Sequence, residues 1–241
     1  MDKTDYLEAL RRDGNALRES AVAAGLRAPV PACAGWSVAD LVWHVTKVHD
    51  FWRSVVEQRA SSGDQVAQLE PVDDDALFSA YDTNLDRLVV ALRDTDSEVA
   101  VWTWSSSKDV GFVVRRMALE TAVHRWDADH AAGRAVGIEP RLASDGIDEF
   151  LEHFIAFPTT GADPVGGSVH IHCTDTPGEW TVRPTEAGHE VTREHAKGDC
   201  ALRGSASDLL LSLWRRLDGS SLDIVGDQAV ATQFLATTDL E

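Results

Sequence analysis

The sequence predicts an α+β protein, with a four-helix bundle over residues 1–140 and a small α+β domain over residues 141–241. Two observations carry this prediction. The first part contains four long segments in which apolar residues recur every three or four positions, the period of an amphipathic helix. After residue 168 apolar and polar residues instead alternate, which is typical of half-buried strands. A glycine- and proline-rich stretch, 161–167, separates the two patterns.

The predicted helices of the first domain follow one another with modest connections. The first covers about 2–24, and the second begins after Ser37, which forms with Asp40 the S-x-x-D pattern of a capping box. The third covers about 75–94 and the fourth about 109–132. Four such helices pack most simply as a bundle, whose core can hold metal ligands from facing helices.

The second domain is predicted to combine short strands with three helices. Its elements are, in order, a helix over 142–157, strands over 168–174 and 179–183, strand segments around 191 and 200–202, and helices over 205–216 and 226–236.

Composition limits the functions that are open to the chain. Its 44% hydrophobic content is enough for a core, and its net charge of −18 repels phosphate backbones and anionic lipid. Neither nucleic acid nor a membrane is therefore an expected partner. The sequence has no apolar run of membrane-spanning length and no secretory signal pattern at its start. Together with three widely spaced cysteines, this predicts a cytoplasmic protein with free thiols.

Glu120 and His124 are the most informative residues of the first domain. They lie four positions apart on the fourth helix, so their side chains share one otherwise apolar face. An unpaired buried ion costs several kcal/mol, and a divalent metal would satisfy both groups. His44, on the inward stripe of the second helix, would complete a set of two histidines and a glutamate that leaves one coordination position open, as in catalytic zinc sites. Asp127 is a candidate for orienting a ligand.

The residues by themselves leave a second interpretation open. Glu120 can instead pair with Arg116, one helical turn earlier, and the two histidines can be ordinary core residues. His49 is predicted to have a supporting or surface role, because it points about 140° away from His44 around the helix. His170 and His172 share one face of a predicted strand, a spacing that can bind metal, but no third ligand is adjacent in the sequence.

Two segments of the bundle carry a resemblance to a known family. They are G-W-S-V-A-D-L-V-W-H-V at 35–45 and R-M-A-L-E-T-A-V-H-R-W-D-A at 116–128. Both resemble the mycothiol-dependent maleylpyruvate isomerase family, which belongs to the DinB-like superfamily of metal-binding four-helix bundles. The segments 202–216 and 225–227 are similar to the C-terminal domain of that family. The resemblance implies a DinB-like bundle with metal ligands at His44, Glu120 and His124.

The resemblance also implies an enzyme and its cosubstrate. The expected cofactor is a divalent metal, Zn²⁺ first among the candidates, and the cosubstrate is mycothiol, the low-molecular-weight thiol of actinobacteria. The expected reaction is addition of the activated thiolate to a small electrophilic molecule, leading to isomerisation or S-transfer. An arginine of the second domain is implied in catalysis. Arg216 is the best match, with Arg215 and Arg203 as rivals.

The sequence is also compatible with two other functions. One is a metal-dependent hydrolase that uses metal-bound water, for which Asp127 is the available general base. The other is a non-catalytic module that binds a metal or ligand and has a regulatory role. Both a monomer and a homodimer are compatible with the sequence.

Overall fold

A computed structural model describes residues 1–155, 166–186 and 188–236 of the chain. The chain forms two compact units, Met1–Val136 and Gly137–Glu241. The first unit contains the helices α1 (Lys3–Ala24), α2 (Val38–Gln58), α3 (Asp74–Asp94) and α4 (Val110–Ala131). The prediction of four helices followed by a small α+β domain is confirmed.

The bundle is built from two helix pairs. Helix α1 packs most extensively on α4, and α2 packs most extensively on α3, while contacts between the two pairs are fewer. Its core is made of large apolar side chains that are almost completely buried, including Leu10, Leu41, Leu88 and Met117. None of the helices in the described ranges combines the length and apolar character that crossing a bilayer requires.

Local capping signals fix where α2 and α4 begin. The backbone N–H of Asp40 donates to the Ser37 hydroxyl at 3.3 Å, and the Ser37 N–H donates to the Asp40 carboxylate at 2.8 Å. The capping box that the sequence predicts is therefore present. At α4, the Asp109 carboxylate accepts a hydrogen bond from the Phe112 N–H at 2.8 Å. These two caps set the register of the helices that carry the candidate metal ligands.

A buried polar network joins α1 to α4. A guanidinium nitrogen of Arg125 lies 2.7 Å from the Asp129 carboxylate, and another lies 3.3 Å from that of Asp13. The Ser20 hydroxyl donates to Asp129 at 2.5 Å and accepts from Arg134 at 2.9 Å. Because these charges are removed from water, each needs its partners, and removal of one leaves another uncompensated.

The second unit is a mixed sheet with helices. Its elements are α5 (Pro140–Phe150), which continues into a π-helical turn at 151–155, β1 (Val169–Cys173), β2 (Glu179–Thr185), β3 (Gly188–Thr192), β4 (Cys200–Gly204), α6 (Ala206–Leu213), β5 (Asp223–Gly226) and α7 (Gln228–Ala236). The strand order is β3-β2-β1-β4-β5. Strands β1 and β4 are parallel, and the other neighbouring pairs are antiparallel.

The two faces of this sheet differ in character. Val169 and Ile171 of β1 and Leu202 of β4 are buried, and α6 and α7 contact β4. The alternate residues of β1, His170 and His172, lie on the opposite face because successive side chains of a strand point to opposite sides. One face therefore belongs to the core of the unit, and the other carries polar groups.

The second unit differs from the prediction in two elements. The helix predicted to reach 216 ends at Leu213, and Arg215 then has a left-handed backbone with φ of 55°, which is incompatible with a continuing helix. Strand β5 was not predicted, because three of its four residues are exposed and it has no apolar alternation. The end of the helix predicted over 142–157 and most of the glycine- and proline-rich stretch lie outside the described residues.

Candidate metal centre

Helices α2 and α4 bring the three predicted metal ligands together. Nε2 of His44 lies 3.3 Å, and Nε2 of His124 lies 3.2 Å, from the same oxygen, Oε1, of Glu120. Bonds of about 2.0–2.1 Å to a tetrahedral zinc ion place neighbouring ligand atoms about 3.3–3.4 Å apart. One ligand atom from each residue lies within 4.8 Å of the others. The spacing and the chemistry of this donor set fit a divalent cation such as Zn²⁺.

Arg116 holds the other oxygen of the Glu120 carboxylate. Its guanidinium forms an ion pair with Oε2, one helical turn away. The alternative pairing that the sequence left open is therefore present, and it is compatible with metal binding because it leaves Oε1 to the histidines. Burial by itself would raise the pKa of Glu120, but Arg116 and the two histidines outweigh it and hold this pKa well below its usual range. Glu120 is thus an ionised carboxylate at neutral pH.

Asp127 determines which nitrogen His124 presents to the site. Its carboxylate is fully buried and lies 2.8 Å from Nδ1 of His124, so Nδ1 is the donor and Nε2 faces Glu120. Burial disfavours the charged imidazole, but the hydrogen bonds to Asp127 and Glu120 raise the pKa of His124 to about 9. A proton and a metal ion therefore compete for the same nitrogen. Sγ of Cys33 lies 3.7 Å from the same Asp127 oxygen, Oδ2, that contacts His124.

We expect Asp127→Asn to weaken zinc binding to the purified protein by about 10–100-fold, the usual effect of losing a carboxylate behind a histidine ligand. The reason is that an amide no longer offsets the positive charge that a metal brings to His124. Isothermal titration with Zn²⁺ measures the change. Asp82→Asn, which removes one charge from the surface of α3, is the control and should bind zinc like the wild type. Unchanged affinity in Asp127→Asn would contradict the orienting role.

An aromatic side chain flanks the two histidines. The Trp36 ring lies 5.0 Å from the His44 ring and is stacked at 6.5 Å on the His124 ring. Trp36 immediately precedes the capping box of α2, so the same local turn that starts the helix places the indole against the site. The indole therefore covers one side of the candidate centre.

A pocket opens beside His44 within the first unit. Its volume is about 220 Å³, and its lining residues include Phe51, Trp52 and Leu69 together with Lys47. Lys47 follows His44 by three positions and so lies near it on the helix surface. Sequence reasoning missed this lysine, although its spacing was a signal that could have identified it. The pocket offers an apolar wall next to the candidate metal ligands, and its charged lining residues are Lys47 and Asp50, of which Asp50 is paired with Arg53 at 2.6 Å.

His49 is buried rather than at the surface, so that part of its prediction is wrong. Its Nε2 lies 2.9 Å from the Thr121 hydroxyl on α4, and the residue has no measurable exposure. Helix α2 contacts both α3 and α4, so residues on more than one of its faces are buried. Burial is the main reason that the pKa of His49 falls from 6.5 to about 3.

His49 is expected to make the protein less stable as the pH falls from 6.5 toward 3, the interval between its ordinary and folded pKa values. Above this interval the imidazole is neutral in both states. Within it the unfolded chain takes up a proton that the folded chain does not, which costs up to about 1.4 kcal/mol of stability per pH unit. Urea unfolding of the wild type and of His49→Gln should give a stability difference that shrinks as the pH falls from 7 to 4. A difference independent of pH would contradict this prediction.

The predicted catalytic arginine, Arg216, lies in the second unit just after α6. Its backbone N–H donates to the Leu211 carbonyl at 2.7 Å, and its guanidinium donates to the Trp214 carbonyl at 3.0 Å. Arg216 and Arg215 both line a cavity of about 840 Å³ in this unit. The other rival, Arg203, lies on β4 and forms an ion pair with Asp223 at 3.1 Å. A catalytic role for Arg216 stays a prediction.

Comparison with known proteins identifies the family. The family profile described as the mycothiol maleylpyruvate isomerase N-terminal domain matches residues 7–129, and the MDMPI C-terminal domain profile matches residues 141–233. The chain belongs to the mycothiol-dependent maleylpyruvate isomerase family. The family predicted from the sequence is therefore confirmed, as is the prediction of an enzyme of this kind.

The chain also shares its fold with solved structures. Two similar crystal structures are of the mycothiol-dependent maleylpyruvate isomerase, one of them a histidine-to-alanine mutant. Each is 13% identical in sequence to this chain. The structural alignment covers 93% of this chain and 93% of the other, with a TM-score of 0.64. At this identity the likeness shows a shared fold. Among curated protein sequences, none matched the chain.

Proposed function

We propose that this protein is a divalent-metal-dependent enzyme that uses mycothiol to isomerise, or to add a thiol to, a small electrophilic molecule. The observation that carries the proposal is the convergence of His44 and His124 on one oxygen of Glu120, at 3.3 and 3.2 Å. Three protein ligands of this kind leave a coordination position for a cosubstrate. Membership of the family supports mycothiol as that cosubstrate.

The bound cation would supply a thiolate, because a thiol that coordinates a metal loses its proton. The residues of the chain prepare the site for this chemistry. Glu120 contributes negative charge through Oε1 while Arg116 fixes its orientation through Oε2. Asp127 keeps Nε2 of His124 directed at the centre. Trp36 excludes water from one side of the two imidazoles.

The pocket beside His44 is the proposed binding place for the electrophile. Its apolar side chains, among them Phe51 and Trp52, suit a conjugated molecule, and Lys47 can pair with a carboxylate. In the isomerisation, the thiolate of mycothiol adds to one carbon of an activated cis double bond, and the electron pair moves onto the conjugated carbonyl. Rotation about the carbon–carbon bond that has changed from double to single, followed by expulsion of the thiolate, then gives the trans product. We also propose Arg216 as the catalytic arginine, on the family resemblance alone.

A thiol-dependence assay tests the proposed function. The zinc-loaded protein is mixed with maleylpyruvate, or with a panel of activated alkenes and alkyl halides, with and without mycothiol, and the products are followed by NMR. We expect turnover only with mycothiol. A trans isomer with recovery of the thiol indicates isomerase chemistry, and a stable thioether indicates transfer. Absence of turnover for every electrophile, in a protein that holds stoichiometric zinc, would refute the proposal.

The hydrolase alternative has less support from the site. It needs a general base, and Asp127, the candidate, is fully buried and accepts a hydrogen bond from Nδ1 of His124. This geometry suits positioning of the imidazole better than proton removal from water. Turnover without any thiol in the same assay would favour the hydrolase.

A further inference from the structure

The sheet of the second unit carries another cluster of metal-ligating side chains. His170 and His172 of β1 share one face, and Glu179 of β2 lies directly opposite His172 in the antiparallel register, so it lies on that face too. One ligand atom from each of the three residues lies within 4.8 Å of the others. The third ligand that is missing from the adjacent sequence is therefore supplied by the neighbouring strand.

A third histidine joins this cluster from the segment after β3. Nδ1 of His195 lies 3.0 Å from Oε2 of Glu179, while Nδ1 of His172 lies 2.5 Å from Oε1. Each oxygen of the carboxylate thus faces one imidazole. The His195 ring also lies 5.0 Å from the His170 ring, in an edge-on arrangement. His170, His172 and Glu179 thus lie within ligand distance of one another, and His195 approaches the same carboxylate through its other oxygen.

His170 provides an independent reason to expect a ligand. The residue is only 7% exposed, and its Nε2 has no hydrogen-bond partner within residues 1–155, 166–186 and 188–236. A buried polar atom without a partner is costly, and most such atoms in proteins are satisfied by protein, water or an ion. Coordination to a cation would satisfy this nitrogen.

The charges around the cluster are compatible with a cation. Arg203 of β4 pairs in register with His172 and lies on the same face. Its guanidinium is held by the Asp223 carboxylate at 3.1 Å, which offsets its positive charge. Within the cluster, the Glu179 carboxylate faces His172 and His195 and supplies negative charge for a cation.

We propose that His170, His172, Glu179 and His195 form a second metal site, selective for Zn²⁺-type transition cations over Mg²⁺ and Ca²⁺. Imidazole is a good ligand for zinc, whereas the two hard cations prefer sites made entirely of oxygen atoms. With His195 joining the other three residues as the fourth ligand, the tetrahedral coordination of zinc would be filled, with no position left for a substrate. The site is therefore structural: it ties the β1–β2 hairpin to the segment after β3.

Zinc titration of the full-length protein, stripped with a chelator, tests this site. We expect the wild type to bind two equivalents, measured by calorimetry and by elemental analysis after dialysis. His172→Gln and His195→Gln should each lose one equivalent and keep mycothiol-dependent turnover. His44→Gln should lose the other equivalent together with turnover, so the two sites are distinguishable. Mg²⁺ should give no binding at the second site.

His189→Gln is the matched control, because His189 lies on β3 of the same sheet but outside the cluster. It should retain both equivalents. His195 is largely exposed, so its replacement tests coordination without disturbing the core. One equivalent in the wild type that both His172→Gln and His195→Gln retain would overturn the proposal, as would two equivalents in both of these variants.

Discussion

Replacing His124 or His44 with alanine is expected to remove one equivalent of bound zinc and to reduce mycothiol-dependent turnover to background. Only two protein ligands would remain, and three are the usual minimum for a catalytic zinc ion. The loss of zinc affinity should exceed that of Asp127→Asn, because removing a residue that only orients a ligand weakens metal binding by about 10–100-fold. Zinc content by elemental analysis and turnover by NMR are the two measurements, with circular dichroism to confirm that the helices persist.

His130→Ala is the control for these two variants. His130 lies in the last turn of α4, is exposed, and packs against Trp126 rather than Glu120. It should keep both zinc and turnover at the wild-type level. Full retention of zinc in both His44→Ala and His124→Ala would refute the metal assignment. Loss of zinc with unchanged turnover would instead show that the metal is not needed for catalysis.

The second large effect is expected on stability, from Arg125→Ala. Arg125 is 4% exposed and contacts the buried carboxylates of Asp129 and Asp13 between α1 and α4. Its removal leaves the buried Asp129 carboxylate without its closest charged partner and leaves Asp13 with Arg12 alone. Breaking a buried pair in this way costs about 3–5 kcal/mol. Urea unfolding at neutral pH should show this loss as a lower midpoint with an unchanged slope.

Arg134→Ala is the comparison within the same network. Arg134 is about half exposed, with 46% of its side chain accessible, and it reaches Asp129 only at 4.0 Å. Exposed pairs contribute about 0–1 kcal/mol, so a small loss is expected here. Equal losses in the two variants would show that burial of Arg125 does not determine its contribution.

Much of the bundle could be predicted because its signals are local. The capping box at Ser37 and the four-residue spacing of Glu120 and His124 each lie within one or two helical turns. His44 is 76 residues away from Glu120, but its place on the inward stripe of α2 was enough to bring it into the set. The sequence predicted Glu120 either as a partner of Arg116 or as a metal ligand beside the histidines. The structure allows both, because Oε2 pairs with Arg116 and Oε1 faces the histidines.

The features that could not be predicted depend on contacts between distant segments. Glu179 was missed as a partner of His172 because strand register depends on the intervening turn as well as on the apolar pattern. The surface role allowed for His49 was wrong because a helical wheel gives the angle between residues but not the number of neighbouring helices. Strand β5 lies at the edge of the sheet and most of its residues are exposed, so its sequence has no hydrophobic pattern. It is a strand because it pairs with β4, a contact that the sequence does not reveal.

The division of the bundle into two helix pairs gives the proposed cation a mechanical role as well as a chemical one. His44 belongs to the α2–α3 pair, whereas Glu120 and His124 belong to the α1–α4 pair. An ion held by all three side chains would link the two helix pairs across their shared interface, where the helices contact one another least. Loss of the ion is therefore expected to loosen the contact between the two helix pairs more than the packing within either pair.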